Sequence, residues 1–486
     1  MGHEEMSKRT FDAASQAQFA AASGDANPMH LDPVAARRTQ AGAPVVHGVH
    51  LLLWALDGFA KAGEAAIPQL RRLRVHFDRF AHVGATVSAA LGQPTPKGAR
   101  ITLSVGGVKI TRITLEFGPP VAEAARLGDR SDTQPVRATS IDLDFEQMGG
   151  CSGRLAFATP VPVLAAMFPF AAAWLGVRRV ASLAAMTNLV GMFCPGLHSI
   201  FGGLTLDACT DDTTDAVLAY RVTETEPRFR LVSVAVDGGG FVGSLTTFAR
   251  MPPTPQPSMK SLQQLIAPTE FAGSVALIIG GSRGLGELTA KMVAAGGGHV
   301  IVTHRVGRGD AEAVVSEINA GGGVSQALAY DVRAPAAGQL ASLGVVPTHL
   351  YYFATPFIYR AQSVAFDGAR LNEFLEYYVD GFWRTCEALL SGCSALSIFY
   401  PSSVFVDDRP DGMTEYAMAK AAGEILCADM NQKLSPLHVT VRRLPRLPTD
   451  QTASIQELET ASPLETMLPV VREVQSYRSP SSPKET

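Results

Sequence analysis

Several features that define other protein classes are missing from this 486-residue chain. No excess of charge of either sign is present, since 41 basic residues stand against 45 acidic ones, and this argues against nucleic acid as a partner. No basic stretch followed by a short apolar run opens the sequence, so we expect no secretory signal and a cytoplasmic location. The cysteines form no Cys-x-x-Cys pair and no metal-ligand spacing with histidine, so we predict no metal site and reduced, mostly buried thiols at Cys151, Cys194, Cys209, Cys386, Cys393 and Cys427.

Two runs of the sequence almost entirely lack charged side chains. Residues 155–177 contain no Asp, Glu, Lys or Arg, and in residues 180–206 the one basic side chain is His198. Each run is long enough to span a bilayer. Both are interrupted by proline and glycine, and only Arg178 and Arg179 separate them. We therefore expect helices enclosed by a sheet, with membrane insertion as the alternative.

The length exceeds what one hydrophobic core usually supports, so we expect two or three domains. The clearest boundary is "RMPPTPQPSMKS", residues 250–261, because its closely spaced prolines favour an extended connector; we place the linker at 251–270. After it, the buried-strand pattern "SVALIIGG" opens an alternation of strands and helices over 271–455, which predicts a doubly wound α/β domain. Residues 456–486 are expected to form one helix and a disordered tail.

The region before the linker has a different order of elements. Helical spacing comes first, and strand-like runs such as "LRRLRVHFDRF" and "RITLSVGG" follow, which is an α+β pattern. The set of elements over 1–125 is followed by a comparable set over 137–250, which opens with "RATSIDLDFE" and ends with "GSLTTFARM". The two sets share negligible identity, so we infer a repeat of structure and not of sequence.

The stretch "SGDANPMHLD", residues 23–32, places Asp, Asn and His side chains beside glycine and proline. Composition alone allows a polar surface turn, because Gly, Asp, Asn and Pro all favour turns. With its surroundings, the stretch resembles the MaoC-like (R)-specific enoyl hydratase and 3-hydroxyacyl dehydratase family, whose motif is Ser-Gly-Asp-x-Asn-Pro-x-His-x-Asp, followed by a loop that ends in His-Gly. The resemblance extends to Gly118 and is carried by Phe19, Ala20, Ser23, Gly24, Asp25, Asn27, Pro28, His30, Asp32, His47 and Gly48.

This resemblance implies a hotdog fold and specific roles for four residues. Interconversion of a 3-hydroxyacyl thioester and a trans-2-enoyl thioester moves one proton at Cα and one at the hydroxyl, so two acid/base groups must flank one water. By position in the motif, Asp25 and His30 would hold that water or the leaving hydroxyl, and Asn27 would orient the loop. Backbone amides near Gly48, at a helix start, would stabilise the enolate oxygen.

Other polar residues of this region are expected to have structural roles. Asp32 fits a helix N-cap, His47 fits a structural role as well as a catalytic one, and His198 fits a core or turn histidine better than a catalyst. The set over 137–250 contains no Asp-x-Asn-Pro-x-His loop. Members of the resembled family with two such units in one chain often leave one unit silent, so the resemblance implies a double hotdog whose second half is non-catalytic.

After the linker, "IIGGSRGLGE" resembles the glycine-rich turn of the short-chain dehydrogenase/reductase family, in which glycines let the backbone approach a cofactor pyrophosphate at a helix start. Cofactor contacts are implied for Gly280, Ser282, Arg283, Gly284, Leu285, Gly286, Arg305, Asp331, Val332 and Thr449. Because two of these are arginines and no acidic residue closes the second strand, the resemblance favours NADPH over NADH. The alternative is that both arginines are plain surface cations.

The catalytic signature of the same family lies in "YPSSVFVDDRPDGMTEYAMAK". Tyr416 and Lys420 are four residues apart and share a helix face, and Ser403 precedes Tyr416 at the interval usual in the family. In the implied mechanism Lys420 favours ionisation of Tyr416 and binds the nicotinamide ribose. Tyr416 donates a proton to the substrate carbonyl oxygen, which Ser403 polarises.

Three departures from that family lie close to its signature. The usual Asn-Asn-Ala-Gly segment reads "YFAT" at residues 352–355, and Arg446 replaces the glycine of a late Pro-Gly segment. Tyr378 occupies the position of an asparagine that normally holds a water relaying protons to the lysine. These changes imply either slower turnover or a silent dinucleotide-binding domain.

Together the resemblances predict an α+β double hotdog followed by an α/β Rossmann domain, in a bifunctional enzyme. It would reduce a 3-oxoacyl thioester with NADPH and dehydrate the (3R)-hydroxyacyl product to a trans-2-enoyl thioester, carried by coenzyme A or an acyl carrier protein, in fatty acid or polyketide-type biosynthesis. The alternatives are a dehydratase with a silent dinucleotide-binding domain, a β-oxidation-type hydratase with an NAD-dependent dehydrogenase, and an interaction protein with neither activity. Both resembled families usually assemble, so we expect a homo-oligomer. We also expect no nucleic-acid partner and no membrane partner.

Overall fold

The fold was analysed in a computed structural model of the chain. The structure describes residues 4–63, 67–121, 127, 132–158, 161–210, 216–253, 255–358, 366–393, 395–435, 437–449 and 460–477. Two compact units meet in sequence between Pro252 and Pro253, and we call them the amino-terminal and carboxy-terminal units.

The amino-terminal unit contains one large sheet. Alternating burial along its strands, as in Leu70–Phe77, places every second side chain in the core. In the described residues its eleven strands are β1 Glu4–Thr10, β2 Leu70–Phe77, β3 Thr86–Leu91, β4 Gly98–Val105, β5 Val108–Phe117, β6 Thr133–Gln134, β7 Ser152–Ala156, β8 Ser199–Ala208, β9 Val217–Glu226, β10 Leu231–Gly238 and β11 Phe241–Ala249.

The strand order of this sheet repeats within the unit. Its order is β1-β3-β4-β5-β2-β8-β11-β10-β9-β7-β6. Read inward from β1 on one side and from β7 on the other, β1-β3-β4-β5-β2 corresponds to β7-β9-β10-β11-β8. The two sets meet where β2 pairs antiparallel with β8. We call β1–β5 with the helices among them the first half, and β6–β11 with theirs the second half.

Helices of both halves pack into one hydrophobic core. Those of the first half are α1 Ala13–Ser23, α2 Pro28–Leu31, α3 Pro33–Ala36 and α4 Gly48–Ala62; those of the second are α5 Phe145–Met148, α6 Val161–Met167, α7 Pro169–Leu175 and α8 Val177–Asn188, which runs into a π-helical turn, Leu189–Phe193. Every residue from Val180 to Asn188 is buried, which explains the charge-free sequence there. Among the described residues, no helix combines the length and apolarity that a bilayer crossing requires.

The carboxy-terminal unit contains a six-stranded, all-parallel sheet in its described residues, with strand order β14-β13-β12-β15-β16-β17. This order reverses beside β12, as in doubly wound folds, whose ligands bind at such a switch point. The strands are β12 Val275–Ile279, β13 His299–His304, β14 Val324–Ala329, β15 His349–Tyr352, β16 Leu396–Ser403 and β17 Leu437–Leu444.

Helices connect these strands. They are α9 Met259–Leu262, α10 Gly284–Ala295, α11 Arg308–Ala320, α12 Ala336–Leu340, α13 Gly368–Leu375, α14 Gly381–Leu390, α15 Phe405–Asp408, α16 Thr414–Lys433 and α17 Pro463–Ser476, with a π-helical turn, Glu376–Asp380, between α13 and α14. The parallel sheet is therefore built from repeated strand–helix crossovers.

Two sequence-based assignments need correction. The predicted linker, 251–270, is too long, because Met259, Leu262 and Ile266 are almost fully buried in a core of the carboxy-terminal unit. The segment predicted to open the second set, 137–146, has no strand of more than one residue; it lies between β6 and β7. Most of the predicted disordered tail, 478–486, lies outside the described residues.

Candidate active sites

The loop between α1 and α3 carries the first candidate site. Gly24 ends α1 with φ of +79°, a left-handed conformation that glycine adopts without strain. Asn27 caps α2, because its Oδ1 accepts a hydrogen bond from the Met29 amide at 3.0 Å. Its Nδ2 donates to backbone carbonyls of the second half, at 2.9 to 3.3 Å, those of Gly191, Gly196 and Leu197. These hydrogen bonds anchor the loop across the unit.

The carboxylate of Asp25 is the most deeply buried acid in this loop, with 1% of the residue exposed. One oxygen, Oδ2, accepts a hydrogen bond from Thr187 Oγ1 at 2.7 Å, and the other, Oδ1, accepts one from the Asn27 amide at 3.2 Å. Burial raises the pKa of Asp25, while the nearby His30 and these two hydrogen bonds act in the opposite direction. Asp25 therefore exchanges its proton at a higher pH than an ordinary aspartate does.

The imidazole of His30 lies beside that carboxylate. Its Nδ1 is 2.8 Å from the carbonyl oxygen of Val45, and because a carbonyl only accepts, Nδ1 carries the hydrogen. In the neutral ring the lone pair is then on Nε2, which is 3.9 Å from Asp25 Oδ2. The structure thus brings the two predicted catalytic groups together with the free nitrogen of His30 turned to the carboxylate.

Both groups line one pocket of the amino-terminal unit. Most of its remaining wall is apolar and includes Met29, Val46, Leu51, Phe77, Phe80, Val190, Ile200 and Phe201. Gly48 also lines it, at the first turn of α4, where amide groups have no partner within the helix and attract negative charge. A side chain at this position would crowd the Phe77 ring, at 3.0 Å from its Cβ, so glycine keeps the amide accessible.

His47 lies behind the pair and is fully buried. Gln16 Oε1 accepts a hydrogen bond from the His47 backbone amide at 3.2 Å and lies 2.9 Å from its Nδ1, while Nε2 lies 3.0 Å from the Asp25 carbonyl oxygen. The ring stacks on that of His30, with centroids 3.7 Å apart. Because both ring nitrogens are occupied by protein groups, the structure favours the supporting role that the sequence left open.

Two further sequence-predicted residues lie where expected. Asp32 caps α3 by accepting from the amides of Val34 at 2.7 Å and Ala35 at 3.3 Å. His198 does not line the pocket; its Nε2 is 3.2 Å from Asp142 Oδ1. Neither residue enters the chemistry of the pocket.

The second candidate site begins at the glycine turn between β12 and α10. Gly280 and Gly284 have φ of +77° and +57°, a backbone region that favours glycine. A Cβ on Gly286 would lie well inside contact distance of the Gly280 carbonyl oxygen, so the turn closes only without side chains. The turn therefore has three positions without side chains at the start of α10, which is the arrangement that lets a backbone approach a pyrophosphate.

The other predicted cofactor residues are spread around this turn. Ser282 is buried in it, Leu285 packs against the core, and Arg283 is the N-cap residue of α10. Arg305 directly follows β13 and is exposed. Val332 is buried. Thr449 lies beside the turn, because a Cβ added to Gly284 would be 3.8 Å from Thr449 Cγ2. The carboxylate of Asp331 is paired with Arg333 at 2.9 Å.

The predicted catalytic residues lie on β16 and α16. Ser403 ends β16, and its Oγ accepts a hydrogen bond from the Phe405 amide at 3.2 Å. Lys420 is buried and donates from Nζ to the Pro401 carbonyl at 2.6 Å. Burial lowers the pKa of Lys420 to about 7. Tyr416 and Lys420 are therefore on one face of α16, and their common neighbour is Tyr378.

Tyr378 lies in the π-helical turn, where the sequence resemblance predicts an asparagine. Its ring is 3.9 Å from Lys420 Nζ and 5.7 Å, edge to face, from the Tyr416 ring. Its hydroxyl donates to Thr355 Oγ1, which in turn donates to the Pro356 carbonyl at 3.0 Å. This chain of hydrogen bonds ends at a backbone carbonyl and does not include Lys420.

Two more tyrosines donate hydrogen bonds to carbonyl groups of the same turn. Tyr352 donates to the Tyr377 carbonyl at 2.7 Å, and Tyr400 donates to the Tyr378 carbonyl at 3.1 Å. A π-helical turn frees carbonyls from the helix ladder, so they accept hydrogen bonds from other groups. Here tyrosine hydroxyls donate to two of these carbonyls.

Comparison with family models identifies one segment in each of the two units. Residues 3–98 match the model described as MaoC like domain, and residues 274–346 match that of short chain dehydrogenase. The chain joins a MaoC-like dehydratase domain to a short-chain dehydrogenase domain. Both resemblances found in the sequence are thereby confirmed.

Several solved structures are similar to the chain. A short-chain dehydrogenase from Burkholderia cenocepacia in complex with NADP is 24% identical over 43% of this chain and 94% of its own, with a TM-score of 0.38. A 3-oxoacyl-(acyl-carrier-protein) reductase from Agrobacterium tumefaciens with NADP bound is 22% identical over 44% and 92%, with a TM-score of 0.38. A dehydrogenase/reductase from Sinorhizobium meliloti is 21% identical over 44% and 92%, with a TM-score of 0.39. No curated protein matches the chain.

Sequence reasoning missed three residues of the MaoC-like site. Gln16 holds His47, Thr187 donates to Asp25, and Gly191 leaves room for Asp25, because a Cβ there would collide with Oδ1. Thr187 and Gly191 lie outside the matched residues 3–98. The available signal was the lone polar pair "TN" inside the apolar run "SLAAMTNLVGMF".

Proposed function

We propose that the chain is a bifunctional acyl-thioester enzyme, which reduces a 3-oxoacyl thioester with NADPH and dehydrates the (3R)-hydroxyacyl product to a trans-2-enoyl thioester, as in fatty acid or polyketide-type biosynthesis. The observation that carries this proposal is the pairing of a buried Asp25 carboxylate with the His30 Nε2 lone pair in an apolar pocket beside Gly48. An apolar pocket with a few convergent polar groups suits an acyl chain with one reacting end.

In the dehydration direction each group has a definite task. His30 Nε2 accepts the proton from Cα, and Asp25, whose pKa is raised by burial, donates a proton to the leaving hydroxyl. The amide at Gly48 stabilises the oxygen of the enolate that develops on the thioester. Hydration uses the reverse states: an ionised Asp25 takes a proton from water, and a protonated His30 delivers one to Cα.

The carboxy-terminal unit fits a dinucleotide, which supplies hydride when bound. The glycine cradle at Gly280–Gly286 would hold the pyrophosphate, and Arg283 and Arg305 would pair with a ribose 2′-phosphate. Asp331 and Val332 would lie beside the adenine, Lys420 at the nicotinamide ribose and Thr449 at the carboxamide. Tyr416 would then protonate the substrate carbonyl oxygen, which Ser403 polarises.

The two activities act in sequence on one thioester. Reduction creates the 3-hydroxyl that dehydration removes, so covalent linkage of the two units raises the local concentration of the intermediate. The proposed acyl carrier is coenzyme A or an acyl carrier protein, since either offers the thioester that both steps need. The proposed assembly is a homo-oligomer.

A second candidate function is favoured by the tyrosines around the π-helical turn. Tyr352 and Tyr400 occupy its carbonyls, and the Tyr378 hydroxyl is directed away from Lys420. A water relay from solvent to Lys420 would have to share these two carbonyls with the tyrosine hydroxyls. Under this second proposal the carboxy-terminal unit binds NADPH without turnover, and the chain is a dehydratase with a silent dinucleotide-binding domain.

One experiment separates these functions. Purified protein would be incubated with acetoacetyl-coenzyme A and either NADPH or NADH, with cofactor absorbance and acyl products followed, and crotonyl-coenzyme A hydration would be measured in parallel. NADPH oxidation that yields enoyl product supports the bifunctional enzyme. Hydration without NADPH oxidation, together with NADPH binding in a fluorescence titration, supports the silent domain. Preferential NADH turnover would favour the oxidative direction. Absence of hydration would overturn the dehydratase assignment. Asp25→Asn and Tyr416→Phe serve as matched controls for the two sites.

A further inference from the structure

The hydroxyl of Thr187 makes the shortest hydrogen bond to Asp25, and it comes from the half of the unit that lacks the catalytic motif. Thr187 Oγ1 is 2.7 Å from Asp25 Oδ2, and Thr187 is 4% exposed. It occupies the next-to-last position of α8 and lines the same pocket as Asp25 and His30. A buried hydroxyl without a partner is costly, so the contact stabilises both groups.

The direction of this hydrogen bond determines how Asp25 faces the pocket. With Oδ2 receiving the Thr187 hydroxyl and Oδ1 receiving the Asn27 amide, rotation of the carboxylate would break both bonds. His30 Nε2 and His47 Nε2 are each 3.9 Å from Oδ2, so these two histidines are the titratable groups that face it. Thr187 therefore holds the oxygen that lies closest to the imidazoles.

The backbone next to Thr187 is shaped for the same carboxylate. Gly191 lies in the π-helical turn after α8, and a Cβ there would overlap Asp25 Oδ1. Its carbonyl also accepts the Asn27 side chain at 2.9 Å. The turn thus approaches the loop closely enough to leave no room for a side chain, which fixes the distance between Thr187 and Asp25.

We propose that Thr187 is a positioning residue of the dehydration site, which orients the Asp25 carboxylate from the second half, so that this half is a working part of the site although it carries no acid/base residue. The inference rests on the proposed dehydratase function. It differs from a purely structural role because the hydroxyl stabilises the ionised form of Asp25 and not only the fold.

The test compares three variants of the full chain in crotonyl-coenzyme A hydration across pH. Thr187→Val keeps the shape and removes the hydroxyl, Thr187→Ser restores it, and Ser182→Ala is a matched control in the same helix, since the buried Ser182 hydroxyl bonds the Gly238 carbonyl at 2.8 Å. We expect kcat/KM of Thr187→Val to fall about tenfold or more, mainly through kcat, because a hydrogen bond to a charged group is lost. Thr187→Ser and Ser182→Ala should stay within about threefold of wild type.

The pH profile provides the decisive readout. Hydration needs ionised Asp25, and loss of a donor raises its pKa, so the acidic limb of kcat/KM should move to higher pH in Thr187→Val and not in Ser182→Ala. Wild-type hydration with an unshifted limb and an unchanged rate in Thr187→Val would overturn this inference and leave the proposed function standing. Absence of hydration in the wild type would overturn the proposed function itself, and with it any role of Thr187 in the reaction.

Discussion

The side-chain nitrogen of Lys420 lies 3.9 Å from the centre of the Tyr378 ring. A cation above an aromatic face is attracted by the ring quadrupole, by about 2 kcal/mol when desolvated. Tyr378 therefore compensates in part for the burial of Lys420, and it does so without offering a path for protons.

Tyr378→Asn is expected to raise reduction of acetoacetyl-coenzyme A by about tenfold, because a smaller amide admits water beside Lys420. NADPH oxidation measures the effect. Tyr378→Phe is the matched control, since it removes only the hydroxyl that donates to Thr355 and should change the rate by less than about twofold. A lower rate in Tyr378→Asn with unchanged NADPH affinity would contradict a role for the ring in limiting proton supply.

Lys420→Met is expected to abolish reduction and to stabilise the protein near neutral pH. Burial lowers the pKa of Lys420 to about 7, so between this value and the ordinary lysine pKa the native state binds fewer protons than the unfolded chain. Wild-type stability from this group therefore rises with pH over that window and is lowest below it. The advantage of Lys420→Met in denaturant unfolding should be largest at or below about pH 7 and disappear toward pH 10. A constant advantage at all pH values would argue against a buried neutral amine.

Asp25→Asn should lower crotonyl-coenzyme A hydration by at least about a hundredfold, since the amide cannot accept a proton from water. Because burial raises the pKa of Asp25, the stability that its protonated form contributes is present at acid pH and lost as pH rises through the raised value. Thermal unfolding should then show Asp25→Asn gaining stability over wild type with rising pH and matching it in acid. Equal pH dependence of the two proteins would show that Asp25 titrates normally.

Gly191→Ala tests how closely the π-helical turn approaches the catalytic loop. The added methyl group would collide with Asp25 Oδ1, so we expect hydration to fall at least about tenfold and unfolding free energy to drop by about 1–3 kcal/mol. Gly150→Ala, where no atom lies within 4 Å of the new Cβ, is the control in the same half. Wild-type activity in Gly191→Ala would mean that the turn moves aside at no cost.

Arg305→Gln tests the choice of cofactor. Arg305 is exposed directly after β13, where a 2′-phosphate would be recognised. Loss of its charge should raise the KM for NADPH about tenfold and leave that for NADH unchanged. Equal effects on both cofactors would place Arg305 away from the 2′-phosphate.

The sequence predicted those features that depend on nearby residues. Alternation marked β2 to β5, the glycine spacing marked the turn before α10, and the motif marked Asp25 and His30. The hydrogen bond from Thr187 to Asp25 joins residues 162 positions apart, and no local pattern encodes such a contact. The pairing of β2 with β8 escaped prediction for the same reason, since strand register between distant segments depends on the packed core.

In the part of the second half that the structure describes, the Asn27 amide is held by main-chain carbonyl groups. Any amino acid supplies a carbonyl, but two of the three residues that make these contacts must lack a side chain, because a Cβ on Gly191 or on Gly196 would overlap neighbouring atoms. The second half can therefore diverge at most other positions until no motif remains, provided that its main-chain path, these two glycines and the Thr187 hydroxyl are kept.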